Sequence, residues 1–331
     1  MRLTTLWKNA AVAVTAPFLA ALLLGAGFLA FVAWDQSHWW IIKQDYQFGW
    51  LVPVLAGYVI YDRWPQITAA VAACAIDGSP RATGWQKWLL RILAGAAMLF
   101  GALMFLLGSF YRAGAGTSQP GTLAITMGAV AILLPLLFVN APDSSAPEPG
   151  NALNDARVQL VALFVFPVLV WLVSAPKVSA IESQLSLFLL HKVVSVVAFV
   201  YVDVLGLPIE QQGNVLALPG GNVGVEDACS GIRSLTASLF AGSFLAAVFL
   251  DKLWKKVTLV AVSMLFVFMA NLARSLFLTA WAYRYGPRAI EGAVHDIAGY
   301  AVLGLTFAGL VGLVWLFNLR LMTGPAPAAN S

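Results

Sequence analysis

Cys229, Arg274 and His295 are the side chains in this sequence whose types suit acyl-transfer chemistry. A cysteine nucleophile needs a group that takes and returns a proton, and histidine does this near neutral pH. It also needs donors for the oxyanion of a tetrahedral intermediate. Arginine supplies such donors and keeps its charge. Together they imply transfer through a thioester. The cysteine stands in Glu226-Asp-Ala-Cys-Ser-Gly-Ile-Arg233 at the start of an apolar run. Asp227 is placed to cap the following helix. Cys229 and Ser230 then fall in its first turn, where the helix dipole and Arg233 one turn on favour thiolate. Gly231 leaves room for close approach, and Glu226 adds a further charge. Asn271 and Arg274 are three residues apart and share a helix face. His295 and Asp296 lead into the last apolar run.

Each of these residues also has a plainer reading. Cys229 serves equally as a small apolar filler, Arg274 as an arginine snorkelling to lipid headgroups, and His295 as a polar cap. His38 and His191 are rival bases. A metal site is disfavoured, because one cysteine and one histidine on different helices make too few ligands. No cofactor is implied.

The elements that would position these residues follow from composition. Of 331 residues, 60% are hydrophobic and only 10% charged, with a mean hydropathy of +0.84. Soluble domains carry about 25% charged residues. This composition excludes a cytosolic enzyme, a disordered chain and a secreted disulfide scaffold, and the two cysteines are too few for a disulfide framework. The apolar runs are long and continuous rather than alternating, which favours helices over a membrane β-barrel. The net charge of +4 is better read as loop orientation than as nucleic-acid binding.

The expected fold is all-α, a polytopic transmembrane helix bundle of about eight spans. A span needs about 20 apolar residues. The runs are 11–32, 48–61, 88–110, 122–139, 158–173, 231–250, 257–280 and 297–317. Lysine and arginine weigh toward the N-terminus and the segments after even-numbered spans as cytoplasmic. The tight turn Asp251-Lys-Leu-Trp-Lys-Lys256 is the clearest such loop. Both termini are then cytoplasmic. Residues 184–205 are apolar, but His191 and Lys192 sit in their middle, and a charge at the bilayer centre costs about 3 kcal/mol. That segment is expected to lie as an interfacial helix at the outer face. Residues 1–323 read as a single membrane-embedded domain. Residues 140–155 have the composition of a linker and 324–331 that of a disordered tail. With this threading Cys229, Arg274 and His295 reach the same side and depth of the membrane, on three different helices.

The ordered set of motifs resembles the exosortase/archaeosortase family of membrane cysteine transpeptidases. The resemblance rests on Ala228-Cys-Ser-Gly-Ile-Arg-Ser234, Asn271-Leu-Ala-Arg274 and His295-x-x-x-Gly299. Upstream, Asp45-Tyr-Gln-Phe-Gly-Trp-Leu-Val-Pro53 and the approach from Gly206 through a polar, strand-like stretch to Glu226 are similar as well. Phe48 departs from the polar residue often found there. The resemblance implies a bacterial inner-membrane enzyme with its site at the periplasmic face. It implies Cys229 as nucleophile, Arg274 as stabiliser and His295 as proton-transfer partner. The implied substrate is an exported protein with a C-terminal sorting tail: a short motif such as Pro-Glu-Pro (PEP-CTERM-like), a transmembrane helix and a basic cluster. Membrane lipid and exopolysaccharide export machinery are further implied partners, and nucleic acid is not. A purely hydrolytic protease and a transporter are the alternatives. The transporter is disfavoured because its polar residues would gather near the midplane on paired repeats, and no repeat is visible.

Overall fold

The computed structural model describes residues 15–224 and 232–318. The chain divides into two compact units, Met1–Ile181 and Glu182–Ser331.

The first unit begins with α1 (Ala16–Ile42), entered through Pro17 in its first turn, where a missing N–H costs nothing. A 3-10 turn (Gln44–Trp50) leads to α2 (Leu51–Asp62) and α3 (Trp64–Ala75). Strand β1 (Pro80–Ala82) precedes α4 (Gly84–Ala115) and α5 (Gln119–Asn140). Strand β2 (Glu148–Gly150) is followed by α6 (Ala156–Ala162), α7 (Val165–Leu169) and α8 (Trp171–Ser174).

Helices α4 and α5 form a tight hairpin built on glycine. A Cβ at Gly128 would lie 2.5 Å from the Phe105 amide nitrogen, and one at Gly108 would lie 2.8 Å from the Gly121 carbonyl. Only small residues let two backbones approach this closely. Gly101 likewise faces Gly128, where a Cβ would lie 2.8 Å from the Gly128 carbonyl.

The run expected to span at 48–61 is instead the end of the 3-10 turn and one twelve-residue helix, α2, which meets a second twelve-residue helix, α3, at Arg63. They run beside the broken stretch α6–α7, α2 against α7 and α3 against α6. Arg63 donates from Nη1 to the Leu163 carbonyl at 2.9 Å, at the break between α6 and α7. One arginine thus satisfies a carbonyl that the interrupted helix leaves free, which an apolar surrounding requires.

Polar side chains gather at the two ends of this unit. At one end, α1, α5 and α8 are tied together. Gln36 donates to Thr126 Oγ1 at 2.9 Å and accepts from Ser174 at 2.8 Å, and Trp39 donates to Thr122 at 2.9 Å. Buried Asp35 pairs with Arg112, whose guanidinium stacks over Trp34. At the other end β1 pairs in parallel with β2. There Arg81 donates to the Cys74 and Pro142 carbonyls and to Asp143. Asp155 caps α6, accepts from the Ala82 amide and is bridged by Arg157 at 2.9 Å. Loops expected on one side of the membrane therefore meet one another, and those expected on the other side do the same.

The second unit holds all but the first three residues of α9 (Ser179–Phe199), prolonged by a π turn (Val200–Val204), then an antiparallel sheet of β3 (Glu210–Gln212), β4 (Val215–Leu218) and β5 (Gly221–Gly224). Helices α10 (Ile232–Phe249), α11 (Leu253–Tyr285) and α12 (Ala293–Asn318) follow, with a 3-10 turn (Pro287–Ile290) between the last two. α10, α11 and α12 pack on one another. At the basic-turn end their core is Ala246, Leu250, Leu259 and Val314, and Lys255 caps the end of α12 by donating to the Phe317 carbonyl. At the other end α9 packs on α11 and the sheet through Val193, Val197, Leu216, Val223 and Leu272. Tyr201 donates to the Leu276 carbonyl at 2.7 Å.

The chain is a helical multi-pass membrane protein carrying two small sheets. Six described helices are long and apolar enough to cross a membrane, or seven if the pair Ala156–Ala162 and Val165–Ser174, bent by 49°, is one span. Eight were expected, and the difference lies in particular elements. Residues 48–61 give only a twelve-residue helix after a 3-10 turn, 158–173 are interrupted, and α10 contributes only the short apolar stretch Ser234–Phe249. Conversely, 184–205, expected to lie along the surface, belongs to a 26-residue helical stretch, Ser179–Val204, that passes the length and composition test. Its Lys192 ammonium lies 5.6 Å from the centre of the Phe188 ring, a contact that lowers the cost of a cation on an apolar helix.

The Asp155 cluster makes the first unit acid-sensitive. Burial pushes the Asp155 carboxyl up, but the Arg157 guanidinium and the Ala82 amide outweigh it and hold its pKa below the ordinary carboxylate range. A depressed pKa contributes stability that is present above the unfolded value, near 3.9, and is lost as pH falls through the folded one. Asp155→Asn should remove about 3 kcal/mol, because the largely buried Arg157 keeps its positive charge without its partner. Thermal unfolding in detergent, followed by exposure of the buried Cys74 thiol in a Cys229→Ala background, should show a lower midpoint for Asp155→Asn at pH 7; an unchanged midpoint would contradict the assignment.

Candidate active site

Helix α11 has 33 residues, about 50 Å at 1.5 Å per residue. It overshoots the start of α12. Arg274 lies eleven residues before the end of α11 and meets His295, the third residue of α12. The last eleven residues of α11 rise about 16 Å beyond that contact, and the 3-10 turn brings the chain back. Gly286 at φ +90° ends α11, and its amide closes on the Ala282 carbonyl at 2.8 Å. A positive φ of this kind favours glycine. The β4–β5 turn packs on this return: a Cβ at Gly221 would meet Pro287 Cγ at 3.2 Å.

Arg274 Nη2 lies 2.9 Å from His295 Nε2 and 3.5 Å from the His295 carbonyl oxygen. Arginine is only a donor, so His295 Nε2 must be the acceptor. The ring proton then sits on Nδ1. Gly299, one turn further on, lies under the same guanidinium: a Cβ there would be 3.7 Å from Nη2. Arg274 Nε is buried and has no acceptor among the described residues. A buried donor of this kind is costly unless something else fills it.

His295 faces a cavity of about 330 Å³. The sheet contributes Asn222, Val223 and Gly224, and α11 contributes Ser275, Leu278 and Thr279. The return segment contributes Pro287, Ile290, Glu291 and Gly292, and α12 adds Asp296 beside His295. Of the residues expected at the site, Arg274, His295 and Asp296 are thus brought together. Asn271 is buried on α11, one turn before Ser275, whose hydroxyl donates to the Asn271 carbonyl at 3.1 Å. Glu226, Asp227, Cys229, Ser230 and Gly231 lie outside the described residues, and of Arg233 only the backbone, in α10, is described. The rival histidines do not line this cavity: His191 is exposed on α9, and His38 is exposed on α1 with its ring edge-on to Trp39.

Sequence inspection alone passed over several lining residues. Ser275 and Thr279 line the cavity and follow Asn271, already singled out beside Arg274, at a spacing of four along an apolar helix, a stripe that marks one helix face. Asn222 and Glu291 carry no such spacing. They arrive through the hairpin and the return turn. Among the described residues, no group of three or more His, Cys, Asp or Glu is placed to hold a metal ion.

Neither a curated protein nor a solved structure matches the chain. The family model of the transmembrane exosortases matches residues 39–312, which include α11, the start of α12 and the segment bearing Cys229. The chain belongs to the transmembrane exosortase family.

Proposed function

We propose that this protein is a membrane cysteine transpeptidase that cleaves the C-terminal sorting tails of exported proteins at the outer face of the bacterial inner membrane. The observation that carries the proposal is the contact between Arg274 and His295 across 21 residues of sequence, at a cavity whose sheet wall ends five residues before Cys229. Five residues of extended chain reach no more than about 18 Å. Family membership supports a role in protein sorting. The basic turn at 252–256 lies at the opposite end of α11 from the site, which favours an outward-facing site if that turn is cytoplasmic.

The contact sets an order of events. The lone pair that His295 needs as a base is the one on Nε2, held by Arg274. When the Cys229 thiol gives its proton to Nε2, the ring becomes imidazolium and no longer accepts from Arg274. The guanidinium is released, and its Nη2 and Nε donors turn to the oxyanion. The sulfur bonds to the scissile carbonyl carbon, the C–N bond breaks, and the imidazolium returns its proton to the departing amine. The acyl group then rests on Cys229 as a thioester until an acceptor amine takes it. Glu226, Asp227, Ser230, Gly231 and Arg233 flank the nucleophile in this scheme, and Asn271 and Asp296 support its partners.

The reporter for testing this is an exported protein ending in a Pro-Glu-Pro-type motif, a transmembrane helix and a basic cluster. Cys229→Ala should abolish its processing with membrane expression unchanged. Undiminished processing would sink the nucleophile assignment, and mass spectrometry of the new C-terminus separates transfer from hydrolysis.

Arg274→Lys keeps the charge but loses the forked donors. It should lower kcat by about 100-fold, the scale of losing an oxyanion donor. A full-rate Arg274→Lys enzyme, measured on the same reporter, would remove Arg274 from the transition state.

A further inference from the structure

The cavity beside His295 meets the three-stranded sheet along its edge. Successive side chains of a strand point to opposite faces, so a cavity lying on one face would touch alternate residues. Here three consecutive residues, Asn222, Val223 and Gly224, line it. The Val223 side chain is meanwhile buried in the core formed with α9 and α11. What β5 turns toward the cavity is therefore its backbone. Among the described residues β5 pairs with β4 alone, in antiparallel register from Val215↔Gly224 to Leu218↔Gly221. Its other edge presents alternate N–H and C=O groups without strand partners. Gly224 has no side chain to screen that edge, and a Cβ built there would meet nothing within 4 Å.

We propose that β5 is the docking strand for the substrate polypeptide. An extended segment of the sorting tail adds along its free edge as a fourth strand and carries the scissile bond toward His295 and the Cys229 segment. This deepens, and rests on, the transpeptidase reading above. The occupant is an extended peptide because only a strand offers backbone groups at the repeat that this edge presents. Continuity with the site favours the substrate as its source: the strand whose edge is offered runs directly into the segment bearing the nucleophile, and its cavity is the one that His295 lines. Main-chain pairing would hold the scissile peptide in register without reading most of its side chains.

The test uses full-length protein in nanodiscs and synthetic reporter peptides carrying the Pro-Glu-Pro-type motif, a transmembrane helix and a basic tail. The peptides are N-methylated at one non-proline position at a time through the residues on both sides of the scissile bond, since proline has no N–H to block. Only every second residue of an added strand bonds to the edge, so processing should fall about tenfold at alternate positions and stay near the unmethylated rate between them. In the Cys229→Ser protein, Asn222→p-benzoylphenylalanine should photocross-link the unmethylated peptide and lose that product with peptides methylated at the sensitive positions. Uniform tolerance, uniform loss, or no cross-link at residue 222 while the unmethylated peptide is processed overturns the docking strand alone. Absence of any processing of the unmethylated peptide overturns the transpeptidase reading and the docking strand with it.

Discussion

A guanidinium within an apolar helix is tolerated only where something accepts its hydrogen bonds, and for Arg274 that acceptor is His295 Nε2. Much of the second unit serves this contact. The two residues lie on consecutive helices, and they meet only because α11 runs eleven residues past Arg274 before the chain turns back at Gly286 and Pro287. The overshoot exposes a stretch of α11 to which α9 and the small sheet pack. The space left between overshoot, sheet and return turn is the cavity. A shorter α11 would lose the contact's roof and the cavity together.

The same contact disciplines the proton chemistry. With Arg274 on Nε2, His295 is held in one tautomer and one orientation, and its basic lone pair is occupied. A proton arriving at Nε2 therefore has to displace a cation. In the proposed mechanism, proton transfer to His295 and release of the Arg274 donors become one event instead of two. The buried Nε of Arg274 has no acceptor among the described residues, so in the proposed mechanism it is a donor still available to the substrate.

The first unit answers a different demand of the bilayer, that interrupted backbone be satisfied internally. Arg63 does so for the Leu163 carbonyl at the centre of two broken helices. Glycines on α4 and α5 allow a hairpin so close that a methyl group would overlap the opposing backbone. At either end, Gln36 with Ser174 and Arg81 with Asp155 tie helices distant in sequence. Such buried hydrogen bonds and ion pairs add little to net affinity between helices, but breaking one is costly, so they favour a single arrangement.

Legibility differed from element to element, for physical reasons. Long apolar runs such as 88–110 and 257–280 are visible because spanning a bilayer needs an unbroken count of apolar residues, which is a local property. The breaks at Arg63 and Leu163 are not visible, because each interrupted helix is made tolerable by a partner about 100 positions away. Lys192 argued against a span over 184–205, since its contact with Phe188 is a matter of rotamer and not of composition. At the site, residue type alone marked Arg274 and His295, because a cation and a titratable ring among apolar residues are conspicuous. Asn222 and Glu291 were silent, since ordinary polar residues in turns look alike until the chain folds.

By itself, then, the sequence determined that the chain is a helical membrane protein, which family motifs it carries, and which side chains are chemically out of place in lipid. All of these depend on composition and short-range order. Only the tertiary structure decided that Arg274 binds His295 through Nε2, that α11 overshoots to build a cavity, and that β5 offers that cavity its backbone edge. Those depend on where helices end and how far they slide past one another, quantities set by packing between distant segments and written in no single stretch of the chain.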